Sequence, residues 1–183
     1  MSEFTLVPAG PDTDRYAAAP GDATTRAWAI AATVTDPEVP VLTIADLGVL
    51  RKVEQHDGTF VVTITPTYSG CPAMEDIAAR IVAAFDAAGL RAEVDTVFRP
   101  AWSTDWITPE GRAKLVAYGI AAPHPVTTAP AGDAGTLFVR PAVGCPRCAS
   151  RQTTLVSEFG STACKALYRC RRCDEPFDYF KEL

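Results

Sequence analysis

The 183-residue chain has no apolar run approaching the roughly 18–20 residues that a membrane helix needs, so no spanning segment is expected. Its opening stretch, MSEFTLVPAGPDTDRYAAAPGD, lacks the basic start and apolar core of a secretory signal. The expected location is therefore the cytoplasm, where cysteines stay reduced unless they bind metal or do redox work. Histidine is scarce: His56 falls in a hairpin turn region and His124 in a linker. With only these two, no Ser/His/Asp or Cys/His arrangement for hydrolysis can be placed. There is no GxGxxG turn or flavin-type fingerprint. A concentrated basic surface is missing as well. Residues 136–183 hold eight Lys/Arg against five Asp/Glu, a balance of +3, while the other 135 residues carry −8. Four thiolates on Zn²⁺ would bring that tail near +1, too little to displace counterions from a nucleic acid.

What is present is an ordinary globular composition, 48% hydrophobic and 21% charged, enough for one domain of about 100–120 residues and a smaller one. Residues 1–21 are rich in Pro, Gly, Asp and Ala without periodicity and read as a disordered arm. From Asp22 the spacing of Trp28, Ile30, Ala31 and Val34 predicts a helix that ends at Asp36-Pro37, because the residue before proline is pushed out of the helical region. Residues 36–48 read as an ordered loop. Val49–Gln55 and Thr59–Pro66 flank Asp57-Gly58, the dipeptide of a type I′ hairpin turn, and Phe60, Val62 and Ile64 share one strand face. Glu75–Ala88 is a predicted helix, with Ile77, Ile81 and Phe85 as its stripe and Gly89 as its cap. A strand over Arg91–Phe98 and a helix over Thr108–Tyr118, with Thr108 as N-cap, complete an α-β-β-α-β-α order. The predicted architecture is an α+β domain over residues 22–120, a linker over 121–135, and a β-rich module over 136–183.

Cysteines mark that last module. Cys145-Pro-Arg-Cys148 and Cys170-Arg-Arg-Cys173 are separated by 21 residues. Each C-x2-C turn offers two thiolates from one tight loop, and two such loops fill the tetrahedron that Zn²⁺ prefers. A rubredoxin-like iron site has similar spacing. A thioredoxin-like pair would need a following helix, whereas Ser150–Ser157 is polar and β-prone. A filled four-thiolate shell leaves no open position, so the expected metal is structural, and it supplies folding free energy to a module too small for a large core. Cys164 reads either as a small core residue or as a spare ligand; Phe177, Tyr179 and Phe180 either pack the ribbon or cover a partner.

The remaining cysteine, Cys71 in TPTYSGCPAME, lies between a strand end and a helix start. Backbone N–H groups and the helix dipole there should lower its pKa below the usual ~8.5. The stretches DPEVPVLTIADLGVLRKV, TITPTYSGCPAME and RPAW together resemble the iron–sulfur cluster assembly domain family over about residues 22–120. With STDWIT and the tail CPRC…FGSTACKALYRCRRCDEPFDYFK, the chain is similar to one subfamily, the D subunits of phenylacetyl-CoA epoxidase systems. The loop differs at Ala101, where the family often has a second proline before Trp102.

The resemblance implies a role in iron–sulfur maturation, with Cys71 as the functional residue and Asp36, Pro37, Glu38 and the Asp46-Leu47-Gly48 turn on the same face. Cys71 would hold iron or a cluster transiently, Glu38 and Asp46 would shape its pocket, and Trp102 and Trp106 would border it. The implied partners are the oxygenase and reductase subunits of the epoxidase. The chain itself is expected to be an accessory protein that does not carry out the epoxidation, and it lacks the Glu and Glu-x-x-His helices of a diiron site. One cysteine cannot complete a coordination sphere, so a homodimer is expected. The rival expectations are an interaction subunit whose ribbon docks on the oxygenase while Cys71 stays inert, and a thiol-redox enzyme using the C-x2-C pairs.

Overall fold

A computed structural model describes residues 23–124 and 142–182; the expected N-terminal arm and most of the expected linker lie outside them. The fold is α+β, and its first module follows the predicted order. Helix α1 (Ala23–Ala31) is followed by strands β1 (Leu50–His56) and β2 (Thr59–Ile64), helix α2 (Ala73–Ala87), strand β3 (Arg91–Thr96) and helix α3 (Pro109–Tyr118). β2 is central: it pairs antiparallel with β1 and parallel with β3, so α2 is the crossover between the parallel strands.

Local sequence explains these elements. The β1–β2 turn places Asp57 and Gly58 at φ 48° and 81°, the left-handed pair that a type I′ turn requires. Phe60, Val62 and Ile64 point into the core, and Phe60 meets Phe85 of α2 at a ring-centroid distance of 5.7 Å. Helix α2 buries Ala73, Ile77, Ile81 and Phe85, one residue per turn, and Gly89 at φ 71° ends it. Thr108 caps α3 by accepting the Gly111 N–H at 2.9 Å. Helix α1 is shorter than the apolar stripe suggested. It stops at Ala31, buries Ala27 and Ala31, and leaves Trp28 and Ile30 half-buried, while Val34 enters the core from the following turn.

The loop between α1 and β1 is part of the core. Val39, Leu42, Ile44, Leu47 and Val49 are all buried, and the segment satisfies its own backbone through Asp36 N–H to Leu42 O and Ile44 N–H to Val34 O, both 2.9 Å. Gly48 has φ 67°, and a Cβ there would meet the Trp106 Cβ at 2.6 Å, so this turn requires glycine for conformation and for space.

The second module is a three-stranded antiparallel sheet of β4 (Thr153–Ser157), β5 (Lys165–Cys170) and β6 (Pro176–Phe180). Its own core gathers Val143, Ala166, Phe177 and Tyr179 with Cys145 and Cys170. The neighbouring residue on β6, Phe180, points the other way. It is buried in the first module's core beside Trp102, at 6.2 Å between ring centroids, and Cys164 joins the same core. Ala121 pairs with Tyr179, exchanging backbone bonds with Asp178 and Phe180 at 2.8 and 3.0 Å. The two modules therefore share a hydrophobic core and a strand-like seam.

Candidate metal and thiol sites

The four ribbon cysteines converge. Their sulfurs all lie within 4.8 Å of one another, with Cys145–Cys173 at 3.8 Å and Cys148–Cys170 at 3.6 Å. A tetrahedron with metal–sulfur bonds of about 2.3 Å has edges of about 3.8 Å, so the donor set fits a four-coordinate thiophilic metal. The two knuckles are built alike. In each, the first cysteine donates its N–H to the carbonyl five residues on, Cys145 to Ser150 and Cys170 to Glu175, both at 2.9 Å. The residue after each second cysteine, Ala149 or Asp174, takes a positive φ of 58° or 61° to close the turn. Arg172 N–H also points at the Cys170 sulfur, 3.4 Å away.

These thiols cannot ionise independently. Burial works upward on Cys170, but the N–H groups of Cys173 and Arg172 and the Cys148 thiol outweigh it and hold Cys170 at about 6. For Cys173, the Glu175 N–H works downward, but burial and the three neighbouring sulfurs push it up to about 12. A dication in the centre eases that conflict by attracting every thiolate and offsetting two of the four negative charges. These cysteines form a metal-binding group whose shell has no place for substrate.

The Cys71 site is different in kind. Cys71 sits in the turn between β2 and α2, half-buried, with its N–H bonded to Tyr68 O at 3.1 Å. Helix α2 starts at Ala73, two residues earlier than expected, and the Ala73 N–H bonds the sulfur. The helix terminus is thus aimed as predicted, yet the thiol pKa is raised, contrary to expectation. Burial is the main cause, and the nearby negative charges of Glu38 and Asp36 add to it, together outweighing the Ala73 N–H.

Both carboxylates come from the turn after α1. Asp36 Oδ1 accepts the N–H groups of Glu38 and Val39 at 2.8 and 2.7 Å, which folds the turn and fixes where Glu38 stands. Desolvation raises the pKa of Asp36 and of Glu38, and for Glu38 the charge of Asp36 contributes as well. Among the described residues, no hydrogen bond or ion pair engages the Glu38 carboxylate itself, so it remains available as a ligand or proton acceptor.

Glu38 acts on Cys71 electrostatically, whereas Asp46 and Trp102 are engaged by other partners. Asp46 Oδ2 accepts Thr43 N–H and Oγ1, both at 2.9 Å, and Lys114 Nζ at 2.6 Å. It ties the 43–46 turn to α3. Burial works upward on its pKa, but these bonds outweigh it and hold the carboxyl below its usual range. Trp102 donates its indole N–H to Leu47 O at 2.9 Å inside the core. Trp106 lies under the Arg51 guanidinium, 3.6 Å from the ring centroid. His124, expected to be a bystander, packs on Tyr179, while His56 is exposed at the end of β1. Cys164, read as a small core residue or a spare ligand, joins the first module's core and stands outside the four-sulfur group. It is buried, bonded to Thr162 Oγ1 at 3.0 Å, and within electrostatic reach of Cys71, Glu38 and Asp36.

Fold and sites together define a class: a small iron–sulfur-assembly-type α+β domain fused to a zinc β ribbon. Residues 27–97 match the family described as iron–sulfur cluster assembly protein, and residues 129–181 match the PaaD zinc beta ribbon domain. The chain belongs to the family of the Escherichia coli K12 protein named as the D subunit of a "Putative 1,2-phenylacetyl-CoA epoxidase". The two are 52% identical over 155 residues, covering 84% of this chain and 90% of that one. It is also 34% identical over 88 residues to the "Fe-S protein maturation auxiliary factor" of Porphyromonas gingivalis W83, covering 45% of this chain and 81% of that one. Among solved structures it is similar to a domain of unknown function from Bacillus anthracis, with 25% identity, coverage of 50% and 90%, and a TM-score of 0.47. No helix among the described residues is long and apolar enough to cross a membrane.

Proposed function

We propose that this protein is a maturation factor for the phenylacetyl-CoA epoxidase system, holding iron or an iron–sulfur fragment at Cys71 and passing it to an oxygenase or reductase subunit. The observation that carries the reading is the setting of Cys71. It is a half-buried thiol at the β2–α2 turn of the module that matches the assembly family, within electrostatic reach of the Glu38 carboxylate. Iron is cargo here. On binding, the Cys71 S–H releases its proton to solvent and a sulfur–metal bond forms, with the Glu38 carboxylate free to act as an oxygen donor. Release follows when a client cysteine replaces the Cys71 sulfur, and a thiol whose pKa is raised regains its proton readily.

In this reading zinc fills the ribbon and cross-links two turns that have little core of their own. The ribbon metal stabilises and presents the thiol domain without itself taking part in transfer. The test is to produce the epoxidase beside wild-type or Cys71→Ser protein and measure iron and sulfide in the purified client subunits. The expected result is a client depleted in metal with Cys71→Ser; a fully loaded client would overturn the proposal.

A second reading, an interaction subunit with an inert Cys71, is favoured by one observation: Val156 and Phe159 on the ribbon are 57% and 66% exposed. It predicts that Val156→Asp weakens capture of the epoxidase subunits while Cys71→Ser leaves both capture and epoxidation intact.

A further inference from the structure

Cys164 is set apart from the other ribbon cysteines. It lies just before β5, contributes to the first module's core, and takes no part in the four-sulfur group. Its strand delivers it to the turn that carries Glu38: the next residue, Lys165, is buried and reaches Glu38 O at 3.5 Å across the seam. The chain after β6 returns to the same place, where Lys181 N–H bonds Cys164 O at 3.0 Å. Cys71 packs against the same core cluster that holds Cys164, and both thiols lie within electrostatic reach of each other and of Glu38 and Asp36. Glu38 also walls an open groove of about 490 Å³ at the seam, with Lys165, Asp178 and Phe177.

We propose that Cys164 is the second thiol of the Cys71 site, so that one soft divalent ion, Fe²⁺ as cargo, is held between the two modules by both sulfurs with the Glu38 carboxylate as oxygen donor. This rests on the reading of Cys71 as an iron holder. One sulfur is a poor claim on a metal, and a second from the ribbon supplies what a single cysteine lacks. Binding breaks two S–H bonds, forms two metal–sulfur bonds and releases two protons, without change of oxidation state. Two thiolates and one carboxylate on a dication carry a net charge of −1, which the buried Lys165 ammonium is placed to offset; its present partner, Asp178, is 3.7 Å away. Among the described residues only the ribbon's four cysteines bring three or more ligand atoms within 4.8 Å, so the proposed site requires Cys71, Cys164 and Glu38 to draw together on the ion. An open resting arrangement suits a site that must also let go.

The test is an anaerobic Co²⁺ titration of full-length, zinc-replete protein, reading the sulfur-to-cobalt charge-transfer band. Zinc content is followed throughout, to show that the ribbon stays filled and folded. Wild type is expected to develop a band of two-thiolate intensity, Cys71→Ser and Cys164→Ser each to lose half or more of it, and the double variant all of it. Cys164→Ala should repeat the Cys164→Ser result with unchanged zinc. If Cys71→Ser removes the band while both Cys164 variants keep it whole, the second ligand is refuted and the Cys71 reading stands. If no band forms in wild type, or Cys71→Ser leaves it whole, both fall.

Discussion

At the scale of single residues, the chemistry of Cys71 is decided by its surroundings more than by its helix. Burial and two carboxylates raise its pKa, so at neutral pH it carries less thiolate than a free cysteine. Alkylation by iodoacetamide, located by mass spectrometry, should be slower than for a free thiol at neutral pH, with a midpoint above that of a free cysteine. Glu38→Gln removes one negative charge and should move that midpoint down; an upward move would contradict the assigned electrostatics. Asp46 presents the opposite case. Its pKa is lowered, so its stabilisation is complete above the ordinary value of 3.8 and is lost as pH falls through the depressed native value. Removing its bonds to Thr43 and Lys114 by Asp46→Ala should cost about 1–3 kcal/mol by urea unfolding at pH 7. Lys114→Ala should cost less than about 1 kcal/mol, because that ammonium is 44% exposed and screened by solvent.

At the scale of elements, the legible parts were those specified by neighbours in sequence. The Asp57-Gly58 hairpin, the Ile77–Ile81–Phe85 stripe, the Gly89 stop and the Thr108 cap all depend on residues a few positions apart, and each stands in the structure as its pattern implied. The cysteine knuckles were legible for the same reason. What periodicity could not reach were contacts between distant parts of the chain. Cys164 and Cys71 are more than ninety residues apart, and Phe180 enters a core made almost wholly by residues 27–120. The helix-dipole argument for Cys71 failed on this point too, since the burial that mainly raises its pKa, and the Glu38 and Asp36 charges that add to it, come from parts of the chain distant from the 71–73 turn. One close approach carries a clear consequence: Gly48→Ala must hold a positive φ and displace Trp106, and should cost about 2–4 kcal/mol by urea unfolding. A loss below about 1 kcal/mol would show that the turn relaxes freely.

At the scale of the whole molecule, the ribbon and the thiol domain are coupled by shared burial. Phe180 and Cys164 fill the first module's core, and Ala121 is stitched to β6. Phe180→Ala should therefore destabilise the α+β domain by about 3–5 kcal/mol, read through Trp102 fluorescence during urea unfolding. Stripping the ribbon metal with a chelator should lower the stability of both modules together, and an α+β domain that melts unchanged would argue that the seam is weak. In the proposed account such coupling gives the ribbon metal a functional consequence, because it would hold in place the strand that carries Cys164.

The central claim, that Cys71 holds iron while the ribbon holds a separate metal, is tested most directly by anaerobic loading of zinc-replete protein with Fe²⁺ and sulfide. Bound iron and zinc are then counted in wild type, Cys71→Ser and Cys145→Ser. The account predicts iron in wild type that Cys71→Ser loses with its zinc intact, and zinc lost in Cys145→Ser. Iron retained in full by Cys71→Ser would contradict it.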